Sequence, residues 1–316
     1  MSAVTRPPLL VIAGATASGK SALAMALAER MPVELISADS AQVYRGMDIG
    51  TAKPSAAERR RIRICRVTDV EQVMRHAAAR FAADARAAID DARARGRLPV
   101  LVGGTLLYLR ALLSGLSRLP SSSPALRQTL LAEHDRIGPT AMHARLATLD
   151  PVSAERLHPN DWQRVQRALE IVMLTDRPAS EAYRDPLQVP DLGPLCRVAV
   201  VVEDRQALHQ RIEARFHQMM ADGLLVEVEA LFRRGDLHDA LSSVRSVGYR
   251  QLWAAMAGSV SLATAVEQGI AATRQLAKRQ LTWLRNEPGW QPVQGDLARQ
   301  LDVVMHTLKQ AGRCPD

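Results

Sequence analysis

Short apolar runs alternate with longer segments of helical periodicity over the first third of the chain. The runs at 9–13, 33–36 and 99–102 have the length and composition of buried strands. Helical patterns follow the first run over 20–29 and precede the third over about 77–95. This alternation predicts an α/β fold, in which a parallel sheet is covered by helices on both faces.

The pattern changes after residue 121 to polar helices that are punctuated by prolines. No strand-like run returns until 197–202, and the chain is helical beyond it. We therefore predict an all-helical insertion domain at 122–194. The α/β core would be formed by 1–121 and 195–316, the second of which supplies C-terminal helices.

A glycine-rich loop joins the first predicted strand to its helix. It satisfies the phosphate-loop pattern G-x4-G-K-[ST] with Gly14, Ala15, Thr16, Ala17, Ser18, Gly19, Lys20 and Ser21. In this pattern backbone N–H groups cradle phosphate oxygens, Lys20 supplies a positive charge and Ser21 offers its hydroxyl to Mg²⁺. The loop predicts binding of a diphosphate or of a nucleotide such as ATP. No aspartate directly ends the later strand-like runs, which favours group transfer over a motor ATPase.

The charge and composition of the chain indicate a polyanionic partner. The chain has 41 Lys and Arg against 33 Asp and Glu, a formal net charge of +8 and a pI of about 10.0, which favours binding to phosphates. No apolar run reaches the roughly 20 residues of a membrane helix, and the N-terminus lacks the pattern of a secretory signal. The cysteines Cys65, Cys196 and Cys314 have neither disulfide-framework nor zinc-site spacing. We expect a cytoplasmic protein with no membrane partner.

Further motifs follow the 14–21 loop in a fixed order. They are Ser37 to Tyr44, Met47 to Pro54, Val102 to Tyr108, Asn160-Asp161, Gln163 to Glu170, Arg245 to Arg250, Thr273 to Gln275, Lys278 to Gln280 and Thr282-Trp283. With these motifs the chain resembles the bacterial tRNA dimethylallyltransferases from residue 9 to about 290. Residues 63–77 interrupt the resemblance, because the family's Pro-His-His-Leu-Ile-Asp pattern is absent there.

The resemblance implies a P-loop NTPase-like core and a monomeric enzyme. Such an enzyme transfers a dimethylallyl group from dimethylallyl diphosphate to the exocyclic amine of the adenine 3′ of the anticodon. Lys20, the 14–21 loop and Mg²⁺ at Ser21 would stabilise the departing diphosphate. Asp39 would accept the amine proton and Thr105 would orient the amine. Alternatively, Asp39 caps a turn and Thr105 makes a loop hydrogen bond.

The resemblance also implies contacts with the tRNA anticodon stem-loop. The residues implied are Asp39, Ser40, Ala41, Gln42, Thr105, Arg127, Gln163, Arg164, Val165, Gln166, Arg167, Arg245, Ser246, Val247, Gly248, Tyr249 and Arg250. Gln42 suits reading of an adenine edge. A solvated helix face is the alternative for the arginine-bearing segments. The same two interpretations, phosphate contact or solvated surface, apply to Arg274, Lys278 and Arg279 and to the run Arg59, Arg60, Arg61, Arg63 and Arg66.

Two other classes of protein share parts of this pattern. A small-molecule kinase or an adenylate prenyltransferase would use the same loop with a free nucleotide, but would not need the insertion at 122–194. A non-catalytic, nucleotide-gated RNA-binding protein would not need Lys20, Asp39 and Thr105 together. The sequence therefore favours the tRNA-modifying enzyme.

Overall fold

The computed structural model describes residues 7–55, 57–58, 62–64, 77–117, 119–184 and 191–311. Arg59, Arg60, Arg61, Arg66, Cys65 and Cys314 lie outside these residues. Within them the chain forms two compact units, Met1–Leu112 with Asp191–Asp316, and Leu113–Pro190. The insertion domain expected at 122–194 stays a prediction.

The first unit is built on a parallel sheet, which confirms the predicted α/β fold. In the described residues the strand order is β3-β2-β4-β1-β5-β6. The strands are β1 (Leu9–Gly14), β2 (Val33–Ala38), β3 (Ile62–Ile64), β4 (Leu98–Gly103), β5 (Leu195–Val200) and β6 (Gln291–Val293). The short strands β3 and β6 are not predicted by the sequence. The last predicted strand, at 197–202, is shifted, because β5 begins at Leu195 and ends at Val200.

Helices cover this sheet. They are α1 (Lys20–Arg30), α2 (Ala77–Ala94), α3 (Leu106–Leu113), α8 (Arg205–Ala221), α9 (Leu224–Phe232), α10 (Tyr249–Met256), α11 (Leu262–Asn286) and α12 (Leu297–Gln310). Leu23 of α1 and Val304 of α12 pack into one core with Leu10 and Ile12 of the central strand β1. Strand β1 is buried along its whole length, and its continuous apolar sequence is typical of a strand that is covered on both faces.

A second core fixes the chain that follows β2. Val43, Tyr44 and Met47 pack against Phe216 of α8 and Leu252 of α10. The loop after β2 is thus attached to the C-terminal helices by apolar burial.

The second unit is helical. Its helices are α4 (Pro124–Leu149), α5 (Pro151–Arg156), α6 (Trp162–Thr175) and α7 (Ala179–Ala182). Helix α4 is kinked at Gly138 (φ 81°, ψ 168°), which precedes Pro139. Leu130 and Leu146 of α4 pack against Val165 and Leu169 of α6. In the described part of the chain, no helix of either unit is long and apolar enough to cross a membrane.

Candidate active site

Three neighbouring strands carry the predicted catalytic residues at the same edge of the sheet. Strand β4 lies between β2 and β1, with Gly103 in register with both Ala38 and Ala13. The 14–21 loop follows β1, Asp39 follows β2 and Thr105 follows β4, so parallel pairing brings all three together. They line a cavity of about 800 Å³ within the first unit.

The 14–21 loop has the features of an anion site. Ala17 adopts a left-handed backbone conformation (φ 60°), which is uncommon for a residue with a side chain and marks functional loops. The Ser18 hydroxyl is buried and has no hydrogen-bond partner in the described part of the chain. Helix α1 begins at Lys20, and the first N–H groups of such a helix have no acceptor within it, an arrangement that suits an anion.

Lys20 lies deep in this cavity. Its Nζ donates to the carbonyl oxygen of Ala15 at 3.2 Å. Removal from water lowers the pKa of Lys20 to about 8; the Asp39 carboxylate opposes this shift and the Arg215 guanidinium adds to it. The surrounding protein therefore reduces the solvation of the ammonium group, although Lys20 is only partly buried.

Arg215 is a cavity residue that the sequence did not reveal. It projects from α8 and lines the cavity with Lys20 and Asp39. The surrounding protein lowers the pKa of Arg215 by desolvation, while Asp39 opposes the shift. No local pattern distinguishes it, because Arg215 is an exposed polar residue of α8.

Asp39 shapes its own loop. Its Oδ1 accepts hydrogen bonds from the backbone N–H groups of Ala41 (2.8 Å) and Gln42 (3.3 Å). The turn-cap hydrogen bonds are present, and the base role of Asp39 stays a prediction. Oδ2 has no hydrogen-bond partner among the residues that the structure describes. One carboxylate oxygen thus holds the loop, and the other is available to a substrate.

Thr105 connects the ends of β4 and β2. Its Oγ1 accepts the backbone N–H of Ser40 at 3.0 Å, and its own N–H donates to the carbonyl oxygen of Ala38 at 3.3 Å. The loop hydrogen bond of Thr105 is present, and its role in orienting the amine stays a prediction. The preceding Gly103 permits this approach, because a Cβ there would lie 2.1 Å from the Ala38 carbonyl oxygen.

Gln42 makes protein contacts with both ends of its amide. Its Nε2 donates to the carbonyl oxygens of Ala52 (3.1 Å) and Thr51 (3.4 Å), and its Oε1 accepts the Ser37 hydroxyl at 2.8 Å. The expected contact with an adenine edge would require exchange of these bonds. In this structure Gln42 ties the Asp39 loop to the following loop.

Glu227 of α9 holds that following loop. Its Oε2 accepts the backbone N–H groups of Asp48 (2.8 Å) and Ile49 (2.9 Å), and its Oε1 accepts those of Gly50 (3.2 Å) and the Tyr249 hydroxyl. Burial, together with Glu227, raises the pKa of Tyr249 far above its usual range. The buried Tyr249 therefore helps to hold the Glu227 carboxylate against this loop.

The residues of the 245–250 segment, which are expected to contact tRNA, differ in their exposure to solvent. Arg245 and Arg250 are exposed, Ser246 and Val247 are half-buried, and Gly248 and Tyr249 are buried. Burial excludes the Tyr249 ring from direct contact with RNA in this structure.

The residues of the helical unit that are predicted to contact tRNA also differ in exposure. Glu170 is fully buried, and its carboxylate accepts hydrogen bonds from Arg127 Nε (3.1 Å), Arg167 Nη1 (2.6 Å) and Ser123 N–H (2.7 Å). Burial raises the pKa of Glu170, but these donors outweigh burial and lower it. Arg164 is 74% exposed.

Three other residues of α6 that are predicted to contact tRNA differ in exposure as well. Gln163 is exposed, and Gln166 is half-buried and donates to the Arg127 carbonyl oxygen at 3.0 Å. Val165 is fully buried, so its side chain belongs to the core and does not reach a surface. Arg127 and Arg167 therefore bind a buried carboxylate, whereas Gln163 and Arg164 face solvent and Arg164 pairs with the nearby Asp161 at 2.8 Å.

The three cations of α11 have different surroundings. Arg274 pairs with Glu213 of α8 at 2.7 Å, Lys278 is exposed, and Arg279 lines the cavity. Gln280, the next residue, also lines the cavity. The pattern of the neighbouring residues did not predict this position.

These features define an α/β protein in which the 14–21 loop, the Asp39 carboxylate and the Thr105 hydroxyl meet in one cavity at the carboxyl edge of a parallel sheet. The chain belongs to the IPP transferase family, whose model matches residues 42–287. It is 54% identical over 283 residues to the tRNA dimethylallyltransferase of Bordetella petrii, covering 89% of this chain and 90% of the relative. The tRNA dimethylallyltransferase of Ralstonia pickettii is 53% identical over 293 residues, which cover 91% and 90%.

Solved structures agree with this assignment. The full-length tRNA isopentenylpyrophosphate transferase of Bacillus halodurans has a TM-score of 0.67 and 34% identity, with 97% of this chain and 98% of that chain covered. A eukaryotic dimethylallyltransferase acting on tRNA has a TM-score of 0.78 and 26% identity, with 98% and 80% covered.

Proposed function

We propose that this protein transfers a dimethylallyl group from dimethylallyl diphosphate to the exocyclic amine of the adenine 3′ of the anticodon in tRNA. The observation that carries the proposal is the shared cavity of Lys20, Asp39 and Thr105, in a chain whose close relatives are named tRNA dimethylallyltransferases. In this reaction the allylic C–O bond breaks, a C–N bond forms, and diphosphate leaves with the bonding electrons.

The leaving group would lie against the 14–21 loop. Negative charge grows on the diphosphate as the C–O bond breaks, and donors placed in advance stabilise it. Lys20 and Arg215 would supply the positive charge, while the first N–H groups of α1 would supply hydrogen bonds. Apolar side chains of Ile212, Phe216 and other cavity residues provide surface for the five-carbon group.

Mg²⁺ fits this site as an ion that the substrate itself would carry. Among the described residues no three His, Cys, Asp or Glu side chains are grouped to bind a metal. Mg²⁺ commonly takes one or two protein ligands and completes its shell with substrate phosphates and water. The exposed Ser21 hydroxyl in the first turn of α1 suits such a ligand. When bound, Mg²⁺ would neutralise charge on the diphosphate.

The acceptor amine would lie between Asp39 and Thr105. Attack by the amine nitrogen requires loss of one N–H proton, and Asp39 Oδ2 has no other hydrogen-bond partner among the described residues. Asp39 would accept this proton, while the Thr105 hydroxyl, held by Ser40, orients the amine.

The tRNA partner is supported by exposed cations away from the cavity. Arg164, Arg245 and Arg250 face solvent and suit phosphates of the anticodon stem-loop. Because one chain supplies all of the cavity residues named above, we expect the monomer to be the active form. We expect it to act in the cytoplasm, on the tRNA there.

The Asp39→Asn variant tests the proposal. Asparagine keeps the Oδ1 acceptor of the turn but has no charge to take up a proton. We expect the single-turnover transfer rate to fall by about 10²–10⁴-fold, with the affinities for dimethylallyl diphosphate and tRNA maintained. Asp302→Asn, at an exposed position of α12, is the matched control. Wild-type protein that transfers no label from dimethylallyl diphosphate to tRNA would refute the function, whereas a fully active Asp39→Asn variant would refute only the base role.

A further inference from the structure

Gln280 connects two of the three segments that form the cavity. Its Oε1 accepts the backbone N–H of Thr16 at 2.8 Å, and its Nε2 donates to the carbonyl oxygen of Gly104 at 2.8 Å. These partners are 264 and 176 residues away in sequence. The side chain is buried, so each end of its amide has a backbone partner.

The fit around this amide is close. A Cβ at Gly104 would lie 2.5 Å from Gln280 Nε2, so a larger residue there would displace the amide. The next residue is Thr105, whose Oγ1 accepts the N–H of Ser40. Hydrogen bonds therefore link the 14–21 loop to Gln280, Gln280 to Gly104, and Thr105, the residue after Gly104, to the loop of Asp39.

We propose that Gln280 is a positioning residue, which sets the distance between the diphosphate in the 14–21 loop and the amine held by Thr105 and Asp39. The inference rests on the proposed function. A displacement reaction needs its nucleophile and leaving group in line across one carbon, and a misplacement of about 1 Å costs roughly 10²-fold in rate. Gln280 acts through the two backbone segments that it joins.

The chemistry of the amide explains why this position carries glutamine. Thr16 requires an acceptor and Gly104 requires a donor, and a carboxamide offers one of each. An apolar side chain would leave both backbone groups without this partner. An ionised glutamate would satisfy Thr16 but oppose the Gly104 carbonyl oxygen, whereas a protonated glutamate would again offer one donor and one acceptor.

The first test compares Gln280→Met with Gln268→Met. Methionine keeps the length of the side chain but makes neither bond, and Gln268 is an exposed residue of the same helix. With both substrates saturating, we expect the single-turnover transfer rate of Gln280→Met to fall by about 10–100-fold. Gln268→Met should retain the wild-type rate. Dissociation constants for dimethylallyl diphosphate and tRNA should change less than about 3-fold, since the binding groups remain.

The second test uses Gln280→Glu, whose result does not depend on how well the Met variant folds. Its transfer rate, divided by the wild-type rate at each pH, should rise as pH falls and the glutamate becomes protonated. The same ratio for Gln280→Met should be flat, because methionine does not titrate. A residue with only a structural role would lower the melting temperature without producing this pH-dependent ratio.

Two results overturn the inference while leaving the function intact. They are a wild-type transfer rate in Gln280→Met, and a Gln280→Glu ratio that is independent of pH. A wild-type protein that transfers no dimethylallyl group to tRNA would overturn the proposed function, and the positioning role with it.

Discussion

Replacing Lys20 with methionine should stabilise the folded protein while removing diphosphate binding. The pKa of this lysine falls from its ordinary value of 10.5 to about 8, chiefly because burial removes water from the ammonium group. At 1.36 kcal/mol per pH unit, that difference corresponds to about 3 kcal/mol of lost stability while the lysine is charged. The cavity admits some water, so we take this as an upper bound.

The sign follows from the proton bound by each state. Between pH 8 and 10.5 the unfolded chain keeps the Lys20 proton and the folded chain releases it, so stability rises with pH. The penalty is complete below pH 8 and absent above 10.5. Lys20→Met removes it but also loses the bond to the Ala15 carbonyl oxygen, worth about 1 kcal/mol. We expect a net gain of about 2 kcal/mol at pH 7.

Amide hydrogen exchange of β1 measures this gain in the unit that holds Lys20. The measurement should be made at pH 7 and repeated by urea unfolding at pH 7 and 9.5. The advantage of Lys20→Met over wild type should shrink at the higher pH. Lys278→Met, at an exposed lysine of α11, should change stability by less than about 0.5 kcal/mol. If Lys20→Met were no more stable than wild type at pH 7, the ammonium group would be adequately solvated and our reasoning wrong.

Two further predictions separate structural from RNA-binding roles. Arg167→Ala removes a partner of buried Glu170 and should lower the stability of the helical unit by about 1–3 kcal/mol, whereas Arg164→Ala on the same helix should cost less than about 0.5 kcal/mol. Arg164→Ala should instead weaken tRNA binding and reduce its salt dependence; equal thermal stabilities for the two variants would contradict this division. Tyr249→Phe removes one hydrogen bond to Glu227 and should cost about 1 kcal/mol in chemical unfolding, with tRNA affinity unchanged. A selective loss of tRNA affinity would show that the Tyr249 hydroxyl reaches RNA after all.

The catalytic edge of the sheet could be predicted because it is encoded locally. Each buried strand is an apolar run, and the polar residues that matter follow at once: Lys20 after β1, Asp39 after β2 and Thr105 after β4. Parallel pairing brings the carboxyl ends of such strands to one edge whatever their separation in sequence. The pattern therefore predicted the fold, the resemblance implied the roles of Asp39 and Thr105, and the observed strand pairing explains why they lie beside Lys20.

The remaining parts of the site depend on tertiary packing, for which the sequence has no local signal. Arg215 and Gln280 lie on long helices, where a polar residue ordinarily indicates a solvated face. The hydrogen-bond partners of Gln280 are backbone groups that are distant in sequence. Such partners cannot be recognised from residue types, because the backbone groups are common to the chain. The strands β3 and β6 have three residues each, too few for a periodic pattern to be distinguished from a loop.

Close backbone approach at two glycines sets the geometry of this site. Gly103 and Gly104 end β4, where a glycine pair usually suggests flexibility. Both instead have ordinary negative-φ or extended backbone and stand where a Cβ would collide, with the Ala38 carbonyl oxygen in one case and with Gln280 in the other. The missing side chains allow three strand ends to meet at hydrogen-bonding distance. Because the backbone sets these distances, the site can contribute orientation to the reaction.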